Sequence, residues 1–165
     1  MKNIIWTIIA TAILSTSCSS KADKITYPKD LKTFSLNDSI EFDKKWYDYK
    51  YKIVSYSNGS STHLIKWAEA IEKFPEIAFL FYIDKKDSTK IKERLKQREF
   101  YWPVFYDPES KFLESNKIKG LGTRPYYYFI FAVKDDKIID IAKSRNNPTF
   151  PEDFEKYLND FLSEN

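Results

Sequence analysis

From Tyr51 onward the spacing of apolar residues switches between the period of a strand and that of a helix. Ile53, Val54 and Tyr56 predict a strand, and Leu64, Trp67, Ala68 and Ile71, three or four apart, predict a helix ending near Pro75. The unbroken run IAFLFYI has the character of a strand covered on both faces. In KDSTKIKERLKQRE the apolar stripe is only Ile91 and Leu95, so this helix turns mostly to water and its lysines and arginines form a solvated face. YWPVFYDPES predicts a further strand with Pro103 inside it, then a short turn or helix. PYYYFIFAV pairs with KIIDIA across the turn KDDK, where Asp135 and Asp136 read as turn residues rather than as a catalytic carboxylate pair. A last helix starts at the T-x-x-E capping box of Thr149 and Glu152, has Pro151 in its first turn, and lines one face with Phe154, Tyr157, Leu158 and Phe161.

Upstream the pattern is different. Lys2, an apolar run from Ile4 to Leu14 and small residues closing on Cys18 make residues 1–17 an export signal rather than a spanning helix. Leu14, Ser15, Thr16 and Ser17 before Cys18 resemble a relaxed bacterial lipobox, with Ser15 in place of the usual leucine. That resemblance implies cleavage before Cys18, diacylglycerol in thioether linkage and an acylated amino group. The other reading is an ordinary signal peptide with an incidental cysteine. Residues 18–32, rich in Lys, Asp and Ser with Pro28, look like an acylated cysteine followed by a flexible tether, and residues 33–165 like one folded domain. At its start TFSLNDSIEFDKKWYDYK offers a hairpin or an edge strand, since Phe34 and Leu36 alternate before Asn37-Asp38 and Ile40 and Phe42 after it.

Composition narrows the chemistry. Cys18 is the one cysteine in the chain, so its acylation leaves no thiol for disulfide exchange or peroxide reduction. An exported domain without a disulfide depends on its core, and 42% hydrophobic and 18% aromatic residues are enough to build one. With 27 basic and 24 acidic residues the chain is too balanced to suggest nucleic acid. One histidine leaves only carboxylates and carbonyls for a metal, there is no D-x-D-x-D-G loop, and three glycines make no phosphate cradle; no cofactor is expected.

The order strand, helix, strand, helix, strand, then an X-Pro leading into a hairpin and a final helix resembles the thioredoxin-like superfamily, most nearly its TlpA/ResA and AhpC/TSA-type branch. FYWPVFYDPESKFLESN stands where that branch carries an extra strand and helix, and GTRPYYYFIF resembles its G-x-x-P-T segment. The resemblance covers about Tyr51 to Leu162 and implies an α/β fold, a three-layer α/β/α sandwich with a central mixed sheet. It also implies that Pro125 is the cis-proline facing the reactive pair, and that the C-x-x-C positions fall on Ser57 and Ser60, with Ser61 a neighbouring register. Arg124 departs from the small or aliphatic residue usual before that proline.

A serine at a helix N-terminus gains only about 0.3–1 kcal/mol from the dipole, far less than a hydroxyl needs to ionise near neutral pH. His63, three residues after Ser60, could serve as a base within one helical turn, while the plainer reading is a capping serine and a solvent-facing histidine. Tyr126 and its aromatic neighbours belong either to a covered central strand or to the lining of the former cleft. The expectation is a redox-inactive lipoprotein of the cell envelope, held to the periplasmic face or outer membrane through Cys18. It binds a polypeptide or envelope protein at a groove marked by His63, Arg124, Pro125 and Tyr126. The alternatives are a structural lipoprotein without groove function and an enzyme with non-thiol chemistry at Ser57, Ser60 and His63.

Overall fold

The computed structural model describes residues 24–37, 40–57, 67–118, 128–143 and 150–163. Their elements are β1 (Lys32–Phe34), a 3-10 turn (Lys44–Asp48), β2 (Tyr51–Ser57), α1 (Trp67–Lys73), β3 (Ile77–Ile83), α2 (Ser88–Gln97), β4 (Val104–Tyr106), α3 (Lys111–Ser115), β5 (Tyr128–Lys134), β6 (Lys137–Lys143) and α4 (Phe150–Ser163). Six strands form one mixed sheet in the order β1-β4-β3-β2-β5-β6. β2, β3 and β4 run parallel, joined through α1 and α2 as parallel neighbours require, while β1, β5 and β6 are antiparallel to their partners. This is the α/β sandwich around a mixed sheet that the sequence led us to expect.

The alternation along each strand sorts side chains between two cores. Ile53, Ile77, Phe79, Phe81, Ile83, Ile130 and Ala132 face one side and meet Trp67 of α1, Ile91 and Leu95 of α2, and Phe154, Leu158 and Phe161 of α4. Val54, Tyr56, Leu80, Tyr82, Phe129, Phe131 and Val133 face the other and meet Phe112 and Leu113 of α3, Ile25, and the half-buried Tyr27, Phe42, Trp46 and Tyr47. The run IAFLFYI is buried at every position, as a strand with two covered faces must be. Ile91 and Leu95 are the buried residues of α2, matching its narrow stripe.

One reading left open by the sequence is settled, and three others are corrected. The 33–50 stretch supplies the edge strand β1 and not a hairpin: Phe42 leaves strand geometry and wedges edge-on against Trp46, Tyr47 and Phe105. Pro103 lies before β4 rather than within it, consistent with its missing N–H. In α1, Ala68 is exposed, and Ala70 and Ile71 join Trp67 on the core side. The chain packs well before Lys32: Lys24 bridges Lys137 in antiparallel fashion, the Ile25 N–H donates to the Asp136 carbonyl at 2.7 Å, and Ile25 is 5% exposed. The turn at Asp135 and Asp136 is present, both with positive φ (49° and 59°). α4 lies where it was expected, although Thr149 of the capping box is outside the described residues.

Candidate functional site at the carboxyl ends of the parallel strands

In an open sheet with parallel strands, ligands usually meet the fold where those strands end. β2, β3 and β4 finish side by side at Ser57, Ile83 and Tyr106, and the chain is stitched across that edge: the Asp84 N–H donates to the Ser57 carbonyl at 2.8 Å and the Asp107 N–H to the Ile83 carbonyl at 2.9 Å. Two carboxylates therefore stand one residue beyond adjacent strands.

Their partners differ. Asp84 Oδ2 accepts from the Ser110 hydroxyl at 2.8 Å and from the Tyr56 hydroxyl at 3.2 Å. Asp107, fully buried, accepts from the backbone N–H of Lys111 at 2.8 Å and of Phe112 at 2.9 Å, one on each carboxylate oxygen. It thus caps α3 from outside the helix, a task that Ser110, left-handed at φ 57°, leaves undone. Burial pushes the Asp107 carboxyl above the usual range; the two N–H donors oppose this and the Asp84 charge adds to it. The Tyr106 hydroxyl donates to the Lys86 carbonyl at 2.6 Å, closing the edge between β3 and β4. With both oxygens of Asp107 engaged by backbone donors, these groups fix the loops that follow the strands. Among the described residues no group of three or more His, Cys, Asp or Glu side chains is placed to hold a metal.

Of the residues named from sequence, Ser57 lies here, 3% exposed and last in β2. Its Cα partners are Ile83 on one side and Tyr128 on the other, and Tyr128 comes three residues after Pro125. Cys18, Ser60, Ser61, His63, Arg124, Pro125 and Tyr126 lie outside the described residues. Asp84, Asp107, Tyr56 and Ser110 were not singled out as a site from the sequence. A readable signal existed for Asp107: an aspartate before a proline, five residues ahead of an apolar pair, is a helix-start pattern. Nothing local marks Asp84 as the partner of Ser110, 26 residues away.

No family model matches the chain, and no curated protein matches it. Solved structures do. A thiol-disulfide isomerase from Corynebacterium glutamicum superimposes with a TM-score of 0.58 at 12% identity, covering 88% of this chain and 99% of that one. PrxQ from Xylella fastidiosa, in a cysteine-to-serine mutant form, gives 0.56 at 15% identity over 84% of this chain and 100% of that one. A thiol:disulfide interchange protein of the thioredoxin family from Chlorobium tepidum gives 0.56 at 13% identity over 84% and 99%. The fold is thioredoxin-like.

Proposed function

We propose that this protein is a lipid-anchored envelope protein that uses a thioredoxin-like fold without thiol chemistry, and that it binds an extended polypeptide or a partner protein at the carboxyl ends of β2 and β3, beside Arg124, Pro125 and Tyr126. The observation that carries the reading is the pairing of this fold with a single cysteine placed where an export signal ends. Thiol–disulfide exchange within one chain needs two sulfurs, whereas pairing of an extended chain with exposed backbone needs none. Ser57, at the end of the central strand and in register with the start of β5, supports this location. A structural role without groove binding draws support from the internal satisfaction of Asp84 and Asp107.

The test joins anchor and groove. Fatty-acid labelling is expected in the wild type and absent in Cys18→Ser; persistent labelling of that variant overturns the anchor. In membranes, chemical crosslinking followed by affinity capture is expected to recover a discrete partner with wild type and much less with Arg124→Glu, at an unchanged melting temperature. Equal recovery from the two proteins favours the structural role.

A further inference from the structure

We propose that the end of the sheet where β2 begins is a docking face for an anionic phospholipid surface, which holds the domain with the carboxyl ends of β2, β3 and β4 turned away from the bilayer. The proposal rests on the anchor reading for how the chain reaches the membrane and on the arrangement of lysines for how it sits there.

Register builds this face. Lys24 pairs with Lys137, Lys137 with Lys134, and Lys134 with Tyr51, so neighbouring segments bring lysines to the same end of the sheet. Lys50 joins them through its carbonyl, which accepts from the Asp135 N–H at 3.0 Å. The ammonium groups of Lys50 and Lys134 lie 5.0 and 5.8 Å from the centroid of the Tyr51 ring, and Tyr49 beside them is exposed. Lysines around tyrosine rings suit the headgroup level of a bilayer, where a cation meets phosphate and the ring an apolar boundary. Asp136 is occupied inward, 2.9 Å from Lys52 and 3.1 Å from Lys24. The exposed acids of adjoining segments include Asp48, Glu76, Asp135 and Asp160, Glu76 standing just before Ile77, the Cα partner of Tyr51, so the lysines act as a local strip whose attraction reaches about one Debye length, roughly 10 Å.

The tether places that strip near lipid. Cys18 precedes Lys24 by six residues, which span at most about 20 Å when extended. Lys24 leaves the domain at this same end, while Ser57 lies at the far end of β2, about 20 Å beyond Tyr51. A lipid anchor holds the chain on the membrane by itself, so the lysines act on orientation: they keep the site edge open to solvent and to a partner.

The acylated full-length product would be placed in nanodiscs of phosphatidylcholine alone and of phosphatidylcholine with about 30% phosphatidylglycerol. Each lysine is then scored by the rate of amine labelling, read by mass spectrometry. Lys50, Lys134 and Lys137 are expected to label about threefold or more slowly on the anionic discs, with the difference abolished by high salt, while Lys85 and Lys86 beyond β3 stay unchanged. Equal rates on the two discs, or protection of Lys85 and Lys86 instead, overturn the docking face. The mass of the Cys18 peptide in the same sample reports the anchor separately. If it carries no acyl group the anchor reading falls, and the released chain is spun down with phosphatidylglycerol vesicles at low salt: co-sedimentation that salt reverses keeps the face, and its absence overturns it.

Discussion

The two faces of the sheet are covered by different means, and their side chains differ accordingly. On one face α1, α2 and α4 lay down helical stripes, and the buried cluster there is made of Ile, Leu, Val, Ala, Phe and Trp67, with no tyrosine among its buried members. On the other face the cover is the 24–31 segment, a five-residue 3-10 turn and the five-residue α3. A short or irregular segment presents few side chains to the sheet, so each must be large. Tyr27, Phe42, Trp46, Tyr47, Phe105 and Phe112 supply that area, meeting ring to ring at centroid distances such as 4.6 Å for Tyr27 and Tyr47 and 4.8 Å for Phe42 and Phe105. Polar groups accompany the rings. Lys52, Tyr56, Tyr82 and Asp107 are all buried or nearly so on this side, whereas Ser55 and Ser57 alternate to the helical side of β2. The lesson is that long helices can seal a face with few polar atoms, while turns seal it with large rings that carry polar atoms into the core, satisfied at Lys52, Tyr56 and Asp107 and, among the described residues, not at the Tyr27 hydroxyl.

The largest expected effect tests the helical face. Trp67, 1% exposed, meets Phe79, Phe81 and Phe154 edge-on, and Trp67→Ala should cost about 4 kcal/mol in urea unfolding. Phe112→Ala, on the turn-covered face, should cost about 3 kcal/mol, because the short α3 can settle into part of the space left behind. An equal or larger loss at Phe112 would break the contrast between a rigid cover and a yielding one.

Next comes the buried ion pair. Asp136→Ala leaves the Lys52 ammonium, whose side chain is 2% exposed, without its carboxylate, and about 3 kcal/mol should be lost. Lys52→Met should cost only about 1 kcal/mol, since Asp136 is 31% exposed and keeps Lys24. The pH dependence follows from the signs. Burial alone would raise the Asp136 carboxyl, but its bonds to Lys52 and Lys24 outweigh this and hold it below the ordinary value. Its contribution is therefore complete above the usual carboxylate range, near pH 4, and is lost as pH falls through the depressed value. Asp107 has the opposite sign: its raised carboxyl makes the fold relatively more stable below the usual range, an advantage that fades as pH climbs to the raised value. Urea midpoints measured from neutral pH down to about pH 2 should show Asp136→Asn flattening the acid limb; an unchanged limb would mean that Lys52 is neutralised by another group.

The smallest effect separates satisfied from unsatisfied tyrosines. Among the described residues the Tyr27 hydroxyl is buried with no hydrogen-bond partner, and burial, then the Asp136 charge, pushes it far above the ordinary phenol range. Tyr27→Phe should leave stability unchanged or raise it by up to about 1 kcal/mol, while Tyr56→Phe, which gives up the bond to Asp84, should lower it by about 1 kcal/mol. A clear loss at Tyr27 would show that its hydroxyl is satisfied in solution.

What the sequence determined by itself was local and periodic. The strand character of β2 and β5, the unbroken apolar run of β3, the Ile91 and Leu95 stripe of α2 and the Asp135-Asp136 turn were all legible, because apolar runs, period and turn chemistry act over a few residues. The single cysteine was legible too, and it alone limits the thiol chemistry open to the chain. Tertiary structure decided the rest. Phe42 gave up its strand pattern for a place among Trp46, Tyr47 and Phe105, and Ile25, in a stretch as polar as a linker, found a buried site against the β5–β6 turn. Asp107 and Asp84 became neighbours only when β3 and β4 lay parallel, and Lys52 became a buried cation with a carboxylate partner only when the hairpin brought Asp136 back beside β2. These outcomes rest on contacts between residues tens of positions apart, whose gain depends on the register of the assembled sheet and leaves no mark on the periodicity of either segment.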